Sequence, residues 1–590
     1  MKYKALYNSN DFINEENLLE RLLINRNVID PQRLLTLSEK EIHSGMLFKN
    51  MDKALEIFHK HILNNNTVIH IIVDSDNDGL ASAALIYQYI KDLNINIKVT
   101  YSLHSGKQHG IILEELEKYK FDLLIVPDAG TNDFRSSRIL YDKNIDILIL
   151  DHHNIQQENK YATVINCKDG QYPNDTLSGA GVVYKFCKEY DIKYNYNFAD
   201  KYLDLLSLGC IGDMCDLRNY ETRYLVLKGL NQFGKYNNFL QEIMDKQDYS
   251  LKNKITIMGV GWYISPLLNA VIRIGTYEEK LNVFRALIEE QEEIEYQPRR
   301  KSKDDPKPDI EIHSLQKTMA RICGNLKAKQ DTLVKKGVEL LNAKIKEKNL
   351  DKSKILIVDC TDILENTFTG LVANKLAEYY KRPVILLRKK GQTTYGGSCR
   401  NYNLFPIDNF QAFLNDLDTF NELGGHDDAF GFEITKENII LTHDKANEIL
   451  KNVAIEDVYK VDYEIPVGRL KVKYVEQVAQ WQNLWGNKLH EPLFAITDIY
   501  ISTDKIKLIG SKKNIIKFES NNITFIKKYA NEEIYNNMIL KQTKGLSKKR
   551  VERVKIDIIG KFVENEWDNN KYTQIEIIDY NVKEDNEILF

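Results

Sequence analysis

Asp74, Asp76 and Asp78 stand at alternate positions in Val-Asp-Ser-Asp-Asn-Asp-Gly-Leu, directly after an apolar run. Three carboxylates so spaced ask for a cation, because clustered like charges must otherwise protonate or meet counter-charge. An EF-hand calcium loop also opens Asp-x-Asp-x-Asp-Gly, but a helix precedes it and its twelfth position is a bidentate Glu. Here the twelfth position is Leu85, and the preceding Thr67–Val73 is a β-branched run that predicts a buried strand. A solvated acidic turn is the commoner alternative, and only partners from elsewhere in the chain exclude it.

Other strand ends supply them. From Thr67 onward, short apolar runs (Thr67–Val73, Ile95–Tyr101, Phe121–Val126, Ile145–Leu150, Thr163–Asn166) alternate with helix-period segments, the pattern of a parallel α/β sheet. Such sheets bind ligands beyond the carboxyl ends of their strands. Asp74, Asp128 and Asp151 each follow such a run, and His152 and His153 follow Asp151. A single strand-end Asp is commonly a helix cap, but adjacent imidazoles on another strand end shift the reading toward a metal. The apolar segment Leu205–Ile211 predicts a helix that delivers Asp213 at its end. Carboxylates with one or two imidazoles and no thiolate make a hard, oxygen-rich set that suits Mn²⁺ or Mg²⁺ better than structural Zn²⁺.

Asp-x-Asp-x-Asp-Gly, an isolated strand-end Asp, Asp-His-His and a late Gly-Asp are similar to the four motifs of the DHH phosphoesterases, and within that superfamily the chain resembles the RecJ-type exonucleases. Leu177–Lys185 (Leu-Ser-Gly-Ala-Gly-Val-Val-Tyr-Lys) resembles a segment between the last two motifs of such exonucleases, and so does Pro266–Ala270 with Arg273 and Gly275 just beyond. Val271 and Ile272 depart from that pattern, where smaller residues are expected. The resemblance implies two ions. Asp74, Asp76 and Asp128 would hold one, and Asp78, Asp128, His152 and Asp213 the other, with Asp128 bridging. It also implies that Asp151 orients a neighbour and that His153 contacts the scissile phosphate or protonates the leaving group. Lys107 and Arg273 would contact the substrate.

The reaction so implied is metal-dependent phosphodiester hydrolysis, degrading single-stranded DNA from its 5′ end in repair, recombination or replication. A single-strand-binding protein or a helicase is a candidate partner, and the chain is expected to act as a monomer. A nanoRNA or cyclic-dinucleotide phosphodiesterase is a rival, as is a strand-binding replication accessory that has lost its ligands. A strand-binding C-terminal domain argues against the first, since small substrates need no single-strand platform. The intact ligand set argues against the second.

These groups need several elements to position them. At 590 residues the chain is long enough for about three to five domains. With 43% hydrophobic and 28% charged residues the composition is that of a globular protein. The net charge of -4 excludes a wholly basic nucleic-acid coat, though not a local basic channel. The N-terminus has no apolar h-region and no later stretch is expected to span a bilayer, which predicts a cytoplasmic protein with no membrane partner. Seven cysteines stand singly with no Cys-x-x-Cys pair and read as reduced, buried small hydrophobes.

The expected fold class is α/β, with two α/β lobes joined by helices and a C-terminal β-barrel. Residues 1–61 read as a helical lead-in, 62–277 as the first lobe, 278–350 as connecting helices, 351–456 as the second lobe and 457–590 as the barrel. The charged, proline-bearing Glu295–Pro308 predicts a solvated, mobile loop. By resemblance the three larger parts are the DHH domain, the DHH-associated substrate-binding domain and an OB-like domain. In the second lobe, glycine turns lie beside Ser398 and Arg400 and beside His426, and turn amides with such side chains suit phosphate. The resemblance gives Ser398, Arg400, Gly424, Gly425 and His426 the terminal phosphate, while Glu365 and Asn366 stand where the family has a His. Strands are expected at Asp462–Val467, Leu493–Thr503, Lys505–Gly510, Asn514–Glu519, Val554–Val563 and Tyr572–Tyr580. Trp485-Gly486-Asn487 resembles the entry to the OB-like domain, and Lys541, Lys544, Lys548, Lys549, Arg550, Arg553 and Lys555 form its basic cluster.

Overall fold

The computed structural model describes residues 1–7, 17–104, 108–252, 254–298, 300, 308–541, 549–550, 552–567 and 570–583. Lys107, Lys544 and Lys548 lie outside the described residues. The chain divides into two compact units: Arg26–Ala328 with Asn483–His490, and Met1–Asn25 with Lys329–Gln482 and Glu491–Phe590.

Five parallel strands form the sheet of the first unit: β1 (Val68–Val73), β2 (Lys98–Leu103), β3 (Leu123–Pro127), β4 (Asp146–Asp151) and β5 (Thr163–Asn166). Their order is β2-β1-β3-β4-β5. β1, β3 and β4, inside the sheet, are apolar along nearly their whole length because helices cover both faces. β1 is the clearest case, its five residues Ile69 to Val73 all being buried. His70 in its middle is made tolerable by hydrogen bonds between Nδ1 and Thr100 Oγ1 (2.8 Å) and between Nε2 and Ser102 Oγ (3.0 Å). Burial lowers its pKa to about 4, so the ring is neutral. Three helices pack here: α1 (Asn77–Leu93), α2 (Gly179–Tyr194) and α3 (Leu203–Gly212). α1 is buried almost all round, which its Ala81, Ala83, Ala84 and Leu85 permit at close range.

Ile257–Ile274 is long and apolar enough to cross a membrane, with mean hydropathy 1.4, contrary to the expectation that no stretch would be. Half of it is buried inside the unit. The polar insert also differs from a plain loop: Glu293–Tyr296 and Glu311–Ser314 pair as an antiparallel hairpin, while Arg299 and Lys301–Lys307 lie outside the described residues. Within the connecting segment 278–350, Leu315–Glu347 is a single helix.

In the second unit, a five-stranded sheet runs in the order Glu422–His426, Ala429–Thr435, Thr394–Arg400, Val384–Lys389, Leu356–Asp359. Helix Thr369–Tyr380 packs on it through Val372, Ala373, Leu376 and Ala377. The C-terminal strands form an eight-stranded sheet dominated by the long hairpin Arg553–Trp567 and Asn570–Lys583. Lys2–Tyr7 pairs parallel with Val458–Pro466 at its edge, so the lead-in expected to be helical opens with a strand. Tyr3, Ala5 and Tyr7 alternate with exposed Lys2, Lys4 and Leu6, a period-two pattern that the later helical leucines overshadow. Ile523–Lys528 is a strand the sequence reading missed. It follows a two-residue Asn521-Asn522 turn with φ of 50° and 60°, the left-handed geometry that hairpins favour.

Trp485-Gly486-Asn487 packs within the first unit. Trp485 is buried under the Arg26 guanidinium, 5.0 Å from its ring, and Asn487 Nδ2 donates to the Ile211 carbonyl (3.2 Å). Arg223 Nη2 donates to the Leu484 carbonyl (2.8 Å), so burial and capped carbonyls bind this short segment where its sequence neighbours do not follow.

Candidate metal centre

The carboxyl ends of β1, β3 and β4 bring Asp74, Asp128 and Asp151 to one edge of the sheet. Asp76 caps α1, accepting from Gly79 N (2.8 Å). Within the first turn of α1, Asp78 accepts from the first amides of α2, Gly179 N to Oδ2 (2.6 Å) and Ala180 N to Oδ1 (3.1 Å), where a helix N-terminus favours negative charge. Two glycines are required by this crowding. A Cβ at Gly179 would lie 2.5 Å from Asp128 Cβ, and one at Gly209 on α3 would strike Asp78 Oδ1. Asp128 adopts a left-handed backbone (φ 62°), a conformation Asp tolerates better than most residues and one that recurs at functional sites.

His152 Nε2 lies 3.1 Å from Asp128 Oδ1 and 3.9 Å from Asp78 Oδ2, and its Nδ1 lies 3.8 Å from Asp213 Oδ2. Asp213 caps the C-terminal end of α3. Three groups have ligand atoms close enough to share an ion: Asp74, Asp76 and Asp128; Asp78, His152 and Asp213; and Asp128, His152 and His153. Asp151 is occupied otherwise. Its Oδ1 accepts from His152 N (2.7 Å), His153 N (3.2 Å) and His153 Nδ1 (2.8 Å), and its Oδ2 from Thr131 N (3.1 Å).

The electrostatics fit a divalent ion. Asp74 Oδ1 and Asp128 Oδ1 are buried and accept no hydrogen bond. Burial, then the carboxylates of Asp78, Asp76 and Asp74, push the Asp128 carboxyl well above its usual range. Burial, then Asp78 and Asp76, raise Asp213 to about 8. Burial, then Asp78, also raises Asp76. Burial lowers His152, which keeps its ring neutral and able to ligate. The Asp151 hydrogen bond raises His153 to about 9, so that ring carries a proton at neutral pH. Although burial opposes it, the same contact with His153 holds Asp151 below the usual carboxylate range.

Two residues escaped the sequence reading. His104 is buried at the end of β2, its Nδ1 2.9 Å from Glu115 Oε2 and its Nε2 3.6 Å from Asp74 Oδ1. His109 Nδ1 lies 2.6 Å from Asp74 Oδ2. His104 follows its strand as Asp74 follows β1, so the strand-end rule would have found it. Arg273 lies on helix Ser265–Ile274, and burial lowers its pKa.

In the second unit, register aligns Ser398, Gly431 and Gly424 across three neighbouring strands, and Arg400, Ala429 and His426 two residues further on. By the two-residue period of strands, Ser398, Arg400, Gly424 and His426 share one face, with Gly425 between the last two. Helix Thr369–Tyr380 begins against it: Thr369 Oγ1 and Ser398 Oγ lie 2.8 Å apart, and a Cβ at Gly370 would come within 2.5 Å of Arg400 Nη2. A hydroxyl, a guanidinium, an exposed imidazole and a helix N-terminus are groups that can receive an anion. Glu365 and Asn366 flank the start of this helix, in place of the expected His.

Residues 68–210 match the family described as DHH family, N-terminal domain, and residues 461–579 match the RecJ OB domain. The chain is 37% identical over 589 residues to YorK of the SPbeta prophage in Bacillus subtilis, a protein named for single-strand DNA-specific exonuclease activity, covering 99% of this chain and 98% of that one. It is 24% identical over 588 residues to the single-stranded-DNA-specific exonuclease RecJ of Bacillus subtilis, covering 96% of this chain and 68% of the relative. Among solved structures, RecJ in complex with Mn²⁺ from Thermus thermophilus is similar with a TM-score of 0.69 at 18% identity, over 96% of this chain and 76% of that one.

Proposed function

The chain belongs to the RecJ-like, single-strand-specific exonucleases of the DHH superfamily, and from that premise we propose that it removes nucleotides from the 5′ end of single-stranded DNA at the carboxylate cluster of its first unit. The observation that carries this reading is the pair of buried oxygens that accept no hydrogen bond, Asp74 Oδ1 and Asp128 Oδ1, within a set of like charges. Asp74, Asp76 and Asp128 would hold one Mn²⁺ or Mg²⁺ ion, and Asp78, Asp128, His152 and Asp213 a second. Divalent ions there supply a water of lowered pKa and charge stabilisation for both oxygens of the breaking phosphodiester.

The chain's own residues do the rest. Asp151 fixes the His152–His153 backbone and keeps His153 protonated through Nδ1, leaving the half-exposed ring to meet a phosphate oxygen or give its proton to the leaving 3′ oxygen. Arg273 would bind the substrate backbone, and Lys107 has the same assignment from sequence alone. Ser398, Arg400, Gly424, Gly425 and His426 would hold the terminal phosphate. The OB-like domain would bind the strand beyond, through Lys549, Arg550, Arg553 and Lys555.

Repair, recombination or replication is the setting we propose, in the cytoplasm, by a monomer that meets a single-strand-binding protein or a helicase. Seven free cysteines, all buried, suit a reducing compartment. The test supplies purified protein with Mn²⁺ and single-stranded DNA labelled at either end, beside RNA dinucleotides. Early release of 5′ label, lost in Asp213→Ala, is the expected result. Release from the 3′ end first would reverse the polarity, and preference for dinucleotides would move the chain to nanoRNA chemistry.

A further inference from the structure

Within the apolar run Ile257–Ile274, residues Val260–Ile264 form a π-turn, closed by the Ser265 N–H on the Val260 carbonyl. Pro266 follows and has no N–H, so the Trp262 carbonyl could find no α-helical donor there. Single π-turns inside helices recur at functional sites. This one turns Val260 and Ile264 into the core and leaves Trp262 68% and Tyr263 43% exposed. A tryptophan so exposed forgoes the burial that its large apolar ring ordinarily gains.

Its surroundings give it an occupant. Gly261, one residue before, packs on Ile211, where an added Cβ would lie 3.6 Å from Cγ2. Ile211 stands two residues before Asp213, and Met214, directly after Asp213, is 56% exposed. On the other side, Asn77 Nδ2 donates to the Ser265 carbonyl (3.1 Å), and Asn77 sits between Asp76 and Asp78. Trp262 is thus within about one helical turn, roughly 5 Å of rise, of contacts to two segments that carry candidate metal ligands. We infer that Trp262, with Tyr263 next to it in the chain, is a stacking platform for an unpaired base next to the phosphate being cut.

This inference rests on the single-strand exonuclease reading and adds a source of its strand preference. Every base has a π-face, so an aromatic platform grips without reading sequence. A base inside a duplex is already stacked on both sides and has no face to offer, so the platform selects against paired DNA at the point of cleavage.

The test uses the full chain as wild type, Trp262→Ala and Trp262→Phe, on 5′-phosphorylated single-stranded DNA and on the same oligomer with abasic positions near its 5′ end. Trp262→Ala should raise KM about tenfold on the intact strand, the stacking worth of one base, and raise it more than kcat falls. Trp262→Phe should recover most of the loss, and on the abasic strand Trp262→Ala should match the wild type. Equal KM for wild type and Trp262→Ala on the intact strand would overturn the platform, as would a loss of the same size on the abasic strand. Binding of a fluorescent oligomer in Ca²⁺ repeats the comparison without cleavage. A wild type that binds but never cuts would defeat the exonuclease reading, while a tenfold affinity loss in Trp262→Ala would still uphold the platform.

Discussion

In the first unit Asp74, Asp78 and Asp128 are buried where strand ends meet a helix start, and two oxygens of this group accept no hydrogen bond. In the second, Ser398 and Arg400 on the central strand share one face with His426 on the edge strand, with His426 exposed and Ser398 hydrogen-bonded to Thr369. The first arrangement is costly until a cation arrives, because burial and like charge both oppose ionisation. The second costs little, since its groups keep water or partners. A protein can therefore gain stability by damaging the first and should gain nothing by damaging the second.

Asp128→Asn tests the difference most severely. Cleavage should fall by about a thousandfold or more, the several kcal/mol that a shared divalent site supplies. The metal-free protein should nevertheless melt higher, by about 2–4 °C for each kcal/mol of relieved repulsion. Mn²⁺ should raise the melting temperature of the wild type and narrow that gap, since binding the folded state stabilises it. A metal-free Asp128→Asn protein that melts lower than wild type would break the contrast.

Arg400→Ala probes the other face. KM for a 5′-phosphorylated strand should rise about 10- to 100-fold, the worth of a charge-assisted hydrogen bond, with little change in melting temperature. The penalty should vanish on a strand that ends in a 5′ hydroxyl. A penalty of the same size on both strands would remove Arg400 from the terminal phosphate.

His104→Gln sharpens the first side with a smaller effect. Glu115 and Asp74 bracket His104, so losing the imidazole frees an ion ligand to reorient. Mn²⁺ affinity, followed calorimetrically, should weaken about tenfold, as for other partners of ligating groups. Cleavage should then fall at limiting Mn²⁺ and recover when the ion is in excess. Unchanged affinity would leave His104 a packing residue.

The two regions also differ in how they were legible. The metal centre could be read because each ligand but one sits at a strand or helix end, and strand ends are marked by apolar runs stopping at Asp. His104 was overlooked because a lone His after a β-strand carries less signal than paired carboxylates. The second face was visible only as two glycine turns. Its unity comes from register, Ser398 to Gly424 and Arg400 to His426 through the strand between them, which no local pattern encodes. The strand Lys2–Tyr7 failed for a similar reason, as its partner lies more than 450 residues away in sequence, at Val458–Pro466. Trp485 packs into the first unit with Arg26 over its ring, a long-range contact that its neighbours in sequence do not announce.

The smallest expected effect on cleavage belongs to Asp204, which isolates burial from like charge. It opens α3, the helix that Asp213 closes, and both carboxyls are raised, to about 7 and about 8. Asp213 has Asp78 and Asp76 among its causes, whereas for Asp204 burial dominates, opposed by backbone amides such as Leu205 N (2.8 Å). Its Oδ2 has no hydrogen-bond partner. With the folded pKa above the unfolded value near 4, the folded chain holds a proton that the unfolded chain gives up. The stability tied to that proton is therefore complete below about pH 4 and is lost as pH rises through about 7. A shift of about three pK units corresponds to roughly 4 kcal/mol. Asp204→Asn, which cannot ionise, should melt higher than wild type at pH 8 and close to it at pH 4, with cleavage nearly unchanged. Mn²⁺ should not alter that difference, because no ligand group faces Asp204, whereas it should abolish the corresponding gain in Asp128→Asn. A pH-independent Asp204→Asn difference, or one that Mn²⁺ erases, would show that the strain of the first unit is shared along α3 rather than confined to its ion-binding end.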